Sequence, residues 1–482
     1  MIESVVPEIK EGISSGDYCL ASGILFVGGA LRGAIYDLNT SRVFSINETA
    51  RQVLTGLAED EDGFWTKLED LGLATREKLP QRNVLPELIQ KPELQFVWFE
   101  VVSDDCNESC AHCYADSMPP SHRKAKSIPA GGYTPLEQSL DKGTKRKKLN
   151  VEEWEALIGD AYSLGCRKGQ FIGGEPLLFK GENGESVLDL AEFAKEVGYE
   201  FIEVFTNATL LTEDKVARTK NLGINVAVSL YSRDESIHDR ITNTSGSYKK
   251  TVSSLHMLKE AGVPTRVETV LMRPNEQTVD GTQAFVEEMG FSHRSPDVLR
   301  PKGGGDNPAL TPSKEAVVQY GLMTAPSFTV DKETLSRYLS GHSCLLGKIT
   351  ITDTGDVLPC IFSRNLVVGN ALENCLAEII AGPKLGVVWK NTKDNVLVCK
   401  DCEYRYVCFD CRPLSEGVNQ GRGEYLSAPY PRCTYNPYTG EWAKGVWRVD
   451  EKGEPYYDGS LGPIIQAMLA SGSINSMISL GH

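Results

Sequence analysis

Three cysteines, Cys106, Cys110 and Cys113, fall within eight positions of "DDCNESCAHCYAD" (residues 104–116), in a chain of 482 residues with 13 cysteines. At C-x3-C-x2-C spacing, thiolates from one loop can wrap a cubane of four irons and four sulfides, leaving the fourth iron open to another ligand. The competing reading is a zinc loop closed by His112. The loop directly follows "LQFVWFEVV", an apolar segment that opens a β/α series, and a barrel keeps its active site at that end of its strands. "GGEP", Gly173 to Pro176, follows the next such segment, "GQFIGG". There Gly173 and Gly174 allow backbone to approach a ligand closely, and Glu175 can accept hydrogen bonds from an ammonium group.

A second group of cysteines lies towards the C-terminus. Cys344, Gly355 and Cys360 follow C-x10-G-x4-C, and "CKDCEYRYVCFDC" sets Cys399, Cys402, Cys408 and Cys411 at C-x2-C-x5-C-x2-C, with Cys433 beyond. Paired zinc knuckles give C-x2-C spacings too. Cys19, Cys166 and Cys375 stand alone in apolar surroundings and read as small core hydrophobes.

The elements that must position these residues fall into regions. Residues 1–90 carry β-like "GILFV", "GAIYDL" and "RVFSI", then a helix N-capped by Asn47 and a shorter one in "DGFWTKLEDLGL". Residues 91–335 alternate six strands with five helices, counting a last strand after Phe291, which predicts parallel β/α units. A basic insertion at 116–149 interrupts them, reading as a solvated loop or as a lid that holds an acidic substrate. Residues 336–440 are a loop-rich, cysteine-dense domain, and 441–482 an extension. The net charge of −15 argues against a nucleic-acid binder. No signal-peptide pattern and no apolar run of about 20 residues is present, so a cytoplasmic protein with no membrane partner is expected. Thiols there stay reduced, which favours metal ligation over disulfides.

Together, the C-x3-C-x2-C loop and the downstream GGEP resemble the radical S-adenosylmethionine (radical SAM) superfamily. The resemblance implies an α/β fold built on a partial (β/α)6 TIM-like barrel, with S-adenosyl-L-methionine chelating the open iron of a 4Fe–4S cluster. One-electron cleavage of that cofactor would yield a 5'-deoxyadenosyl radical that abstracts hydrogen from carbon. By the same resemblance His112 occupies the place of an aromatic that packs on adenine. Asn207 in "FTNATLL" and Ser229 in "VAVSLYS" fall where ribose and methionine are contacted, and Arg240 in "IHDRI" is a further candidate. Each of the last three also reads as a turn or cap residue.

The seven C-terminal cysteines resemble the SPASM extension of this superfamily, although the last internal spacing is two residues rather than the usual three. This implies two auxiliary 4Fe–4S clusters, three in all. Cys399, Cys402, Cys408 and Cys433 would close one. Cys344, Cys360 and Cys411 would hold the other, whose fourth iron stays open unless His342 or water fills it. The N-terminal region resembles the winged-helix-like recognition element of enzymes that mature ribosomally made peptides, which adds a leader peptide to its sheet edge. The implied partners are a precursor peptide with its leader and a reducing flavodoxin or ferredoxin. The implied reaction is an intramolecular thioether or carbon–carbon cross-link. Backbone excision, activation of a folded protein in the manner of sulfatase maturases, and a non-catalytic metal scaffold are the alternatives. If the loop holds the cofactor-cleaving cluster, Cys110→Ala should abolish 5'-deoxyadenosine formation in reduced, reconstituted protein while leaving about two thirds of the iron in place.

Overall fold

The computed structural model describes residues 13–77, 85–125, 147–326, 328–418 and 424–474. Two compact units divide the chain: Met1–Pro92, Leu322–Leu346 and Val388–His482 form one, Glu93–Gly321 and Gly347–Val387 the other. Most of the basic insertion, 126–146, lies outside the described residues. At its end Lys147 pairs with Glu153, and Lys148 lies 2.6 Å from Asp104 and 3.0 Å from Asp353, so these two charges are engaged within the protein.

In the first unit, β1 (Ile24–Gly28), β2 (Gly33–Asp37) and β3 (Arg42–Ile46) form an antiparallel meander. Helices α1 (Glu48–Thr55) and α2 (Phe64–Asp70) follow, and the Asn47 side chain accepts from Ala50 N to cap the first. Side chains alternate across a strand. Ile24, Phe26 and Ile35 therefore meet Val53, Leu54, Trp65 and Leu68 on one face. On the other face Leu25, Val27 and Tyr36 pack with Val330, Leu335, Tyr404, Tyr406 and Tyr435, so both faces of this sheet are covered.

The second unit is built on a nine-stranded sheet. Strands β4 (Phe96–Val102), β5 (Lys168–Gly173), β6 (Phe201–Thr206), β7 (Asn225–Ser229), β8 (Thr265–Glu268) and β9 (Ser292–His293) pair in parallel in chain order. Helices α3 (Val151–Ser163), α4 (Val187–Val197), α5 (Glu213–Asn221), α7 (Ser247–Ala261) and α8 (Val279–Glu288) stand in the expected connections. A capping box starts α3: Asn150 accepts from Glu153 N while Glu153 accepts from Asn150 N. Its Trp154 is buried edge-on against Phe99 of β4.

Three expectations are corrected. One of the six strands expected over residues 91–335, the apolar segment "TRVETVLM" (265–272), breaks at Thr269: Thr265–Glu268 stays in the large sheet, whereas Val270–Leu271 pairs with Asp297–Val298. An additional helix, α6 (Glu235–Thr242), is capped by Asp234 and precedes α7. The cysteine-dense 336–440 region contributes stretches to both units. Its β10 (Lys348–Thr352) runs parallel to β4, and β11 (Asp356–Leu358) and β12 (Gly369–Asn370) extend the sheet. The first strand of an open barrel has an unpaired edge, and β10 satisfies it. Finally, Cys19 and Cys166 are buried as core residues, but Cys375 is exposed as the N-cap of helix Leu376–Ala381.

Backbone contacts fix the thiol loop after β4 on three sides. Gly174 N donates to Val102 O at 2.6 Å, and Glu175 N to Asp105 O at 3.1 Å. A Cβ on Gly174 would lie 2.0 Å from Asp105 O, so the glycine's close approach is to the chain's own loop. Opposite, Gly304 N donates to Cys113 O at 2.8 Å, and a Cβ there would lie 2.6 Å from Ala111 O. At the third side, Ile241 O and Thr242 O at the end of α6 accept from Ala111 N and Ser109 N. These are carbonyls a helix end leaves without intrahelical partners. Gly174→Ala should therefore destabilise the protein by about 1–3 kcal/mol in denaturant unfolding and lower its iron content. Gly159→Ala, inside α3 with open space around it, should stabilise it by about 0.5–1 kcal/mol.

Candidate active site and iron–sulfur ligands

Cys106, Cys110 and Cys113 are brought together at the C-terminal end of β4. Burial pushes the Cys106 thiol up to about 12, and raises Cys110 and Cys113 as well. Cys110 feels both other thiols, and Cys106 feels Cys113. Clustered, desolvated thiols give up their protons when cations compensate them, so the donor set fits an iron cluster.

Around them stand most of the expected cofactor contacts. Glu175 is fully buried: its Oε1 accepts from Leu177 N and Thr206 Oγ1, and its Oε2 from Asn207 N. Of about four acceptor sites on a carboxylate, three serve the scaffold and one is left. Asn207 stands beside the first ligand, with its Nδ2 3.9 Å from Cys106 Sγ and 3.0 Å from Asn107 Oδ1. Burial lowers His112 to about 4, so its ring is neutral, and it packs edge-on against Tyr231 at 4.6 Å. Ser229 hydrogen-bonds the Tyr231 side chain. Arg240 is exposed on α6, and its guanidinium lies 3.5 Å from the Pro274 carbonyl.

Sequence reasoning missed several residues here. Glu108, inside the thiol motif, is buried and pushed up to about 7 by that burial. It accepts from Ser247 Oγ, and Cys110 Sγ lies 3.6 Å from its carboxyl. Tyr231 and the Gly303–Gly305 run were likewise missed. "PKGGGDNP" was the available signal, since three successive glycines mark a close backbone approach.

In the first unit Cys399, Cys402, Cys408 and Cys433 line one cavity, together with Lys393, Arg405, Tyr430 and Trp442. Burial raises Cys402, Cys408 and Cys433, Cys408 to about 11. Four thiols round one cavity fit a closed cluster. Among the described residues no three His, Cys, Asp or Glu side chains group as they would round a single ion.

Cys344 and Cys411 belong to this unit, and Cys360 to the other, where Tyr114 feels its charge. His342 is buried beside Cys344. Its Nδ1 accepts from Cys344 N and Leu345 N at 3.1 Å, and its Nε2 faces the buried Asp410 at 3.7 Å. Arg412 and Lys393 also meet Asp410, and hold its carboxyl well below the usual range against the effect of burial. Burial works against the Lys393 ammonium, but Asp410, Cys399 and Cys408 keep it charged.

Comparison with known proteins agrees with this geometry. Residues 101–286 match the radical SAM superfamily, and residues 344–403 match the SPASM iron–sulfur cluster-binding domain. An AdoMet-dependent heme synthase of Methanosarcina barkeri is 24% identical over 362 residues, 69% of this chain and 94% of that protein. A PqqA peptide cyclase of Granulibacter bethesdensis is 25% identical over 283 residues, 54% of this chain and 73% of that protein. The crystal structure of Streptococcus suis SuiB shares the fold, with a TM-score of 0.52 and 15% identity over 86% of this chain and 99% of that one. The thiol loop, the barrel that presents it and the cysteine-dense segment downstream thus have one origin: this chain is a radical SAM enzyme carrying a SPASM iron–sulfur domain.

Proposed function

We propose that this enzyme modifies a ribosomally made precursor peptide, closing an intramolecular thioether or carbon–carbon cross-link at a carbon that has lost hydrogen. The observation that carries this reading is the N-terminal meander, whose outer strand β3 offers a part-exposed edge, "RVFSI", in an enzyme of this class. An edge strand pairs with an extended peptide through main-chain hydrogen bonds. On that side the chain's own Thr329 bridges Arg42, and Val330 N donates to Ser41 O, which leaves Val43–Ile46 for a leader. The peptide cyclase among the relatives supports a peptide substrate.

When bound, the reduced cluster and S-adenosyl-L-methionine supply the 5'-deoxyadenosyl radical. Cys106, Cys110 and Cys113 hold that cluster, and Gly173 and Gly174 brace their loop. Glu175 turns its remaining acceptor site to the cofactor's ammonium. His112 offers a neutral ring to adenine, and Asn207 and Ser229 orient ribose and methionine; Arg240 is the least supported of these contacts. A flavodoxin or ferredoxin provides electrons, and two auxiliary clusters complete a set of three. The enzyme works in the cytoplasm. Among the described residues no helix is long and apolar enough to cross a membrane.

A second reading, heme-forming chemistry, is favoured by the heme synthase, which this chain matches over 94% of its length. Hydrogen exchange on the intact enzyme separates the two. A precursor peptide carrying its leader should protect amides 43–46 and leave with two hydrogens fewer. The same peptide without its leader should bind at least about tenfold more weakly, or 1.4 kcal/mol. An unprotected edge together with turnover of an iron porphyrin would establish the second reading.

A further inference from the structure

Lys393 is a buried cation set against the cysteine cavity. Its Nζ lies 3.8 Å from Cys399 Sγ, 3.6 Å from Asp410 Oδ2 and 5.2 Å from the centre of the Tyr430 ring. Its side chain is 6% exposed and Asp410's is 2%. The other cation lining the cavity, Arg405, is already matched. Arg405 meets Asp394, which also accepts from Tyr406, and Glu403 accepts from Tyr435. Asp410, in contrast, serves two cations: Arg412 holds its Oδ1 at 2.5 Å, and Lys393 its Oδ2. A buried charge is tolerated when paired, and one carboxylate cannot neutralise two cations. The sulfur of Cys399 is the other group to which the Lys393 ammonium donates.

We infer that Lys393 is a positioning charge for the auxiliary cluster of Cys399, Cys402, Cys408 and Cys433, and that it raises the cluster's reduction potential so that it accepts an electron readily. The inference rests on the proposed assignment of these four thiolates to one cluster. Its physical basis is that an added electron makes the cluster more negative, and a cation close by in a poorly screened interior favours the more negative state. Hydrogen bonds to the sulfurs and local charge are the levers by which a protein sets such potentials. Tyr430 bears on the same ammonium and Asp410 fixes its position, so the charge cannot swing away into solvent.

The test is a potentiometric titration of the reconstituted holoenzyme followed by electron paramagnetic resonance, using the signal that Cys402→Ala removes. Lys393→Met should shift the oxidised-to-reduced ratio of that signal at least tenfold towards oxidised at a fixed potential. For a one-electron couple this is about 59 mV lower. Lys393→Gln, which keeps a donor but no charge, should shift it the same way, and Lys393→Arg should stay near wild type. An unchanged midpoint in Lys393→Met or Lys393→Gln with full iron would overturn the inference. If both neutral variants lose the cluster, Lys393→Arg decides: retention at the wild-type midpoint upholds the role of charge, and loss makes the residue structural. A wild-type protein without any signal dependent on Cys402 would refute the cluster assignment itself.

Discussion

The barrel unit depends on one constraint. A loop that gives its thiols to a cluster cannot use those side chains to hold itself in place. Its position has to come from backbone, and backbone reaches backbone closely where no Cβ intervenes. Gly174 and Gly304 supply that approach from opposite sides, and the end of α6 supplies two carbonyls. Glu175 extends the brace: from beside Gly174 it ties the end of β6 to the loop through Thr206 and Asn207, and Asn207 returns to Cys106. What reads in sequence as a ligand-binding glycine pair is first of all the wall against which the ligand loop rests.

The cysteine-rich part of the first unit answers a different demand. Four thiols round one cavity bring several negative charges into a region where the helices and strands are short. The chain meets this with buried cations, each tethered by a carboxylate: Arg405 by Asp394, and Arg412 and Lys393 by Asp410. Asp410 lies between Cys408 and Cys411 in the sequence, so the motif that spaces the thiols also places the carboxylate that holds the cations. Breaking such a pair by removing one partner typically costs about 3–5 kcal/mol, because the other charge is left buried. The cations are thus part of the architecture of the cavity as well as of its electrostatics.

Much of this was legible in the sequence, for identifiable reasons. Local signals carried: the C-x3-C-x2-C loop, GGEP, the Asn47 cap and the alternation of strands with helices all depend on residues near one another in the chain. Long-range partners did not carry. Ser247 reaches Glu108 across 139 positions, and nothing in "GSYKKT" announces it. The eight-residue α6 is short enough to be absorbed into the connection before α7, yet it fixes the thiol loop. Lys348–Thr352 reads as part of a cysteine-rich region, because the vacancy it fills, the free edge of β4, is a property of the folded sheet. For His342 the sequence left a fourth ligand open, and the fold shows how its ring is held: Nδ1 accepts from the Cys344 amide, and Nε2 faces Asp410.

The N-terminal meander and the cysteine cavity share a hydrophobic core, which changes what the meander is. Tyr36 of β2 donates to Glu403 O, Arg405 donates to Gly28 O at the end of β1, and Tyr404 and Tyr435 pack on the face opposite α1 and α2. Both Tyr404 and Tyr435 also line the cavity. An independent reader domain would bury one face on its own helices and leave the other in water. Here the second face carries Leu25, Val27 and Tyr36, which water would disfavour, so the meander and the cavity wall stabilise each other. Strand β3 and the four thiols of the cavity are therefore parts of one folding unit. A change that loosens the cavity wall weakens the sheet that ends in β3.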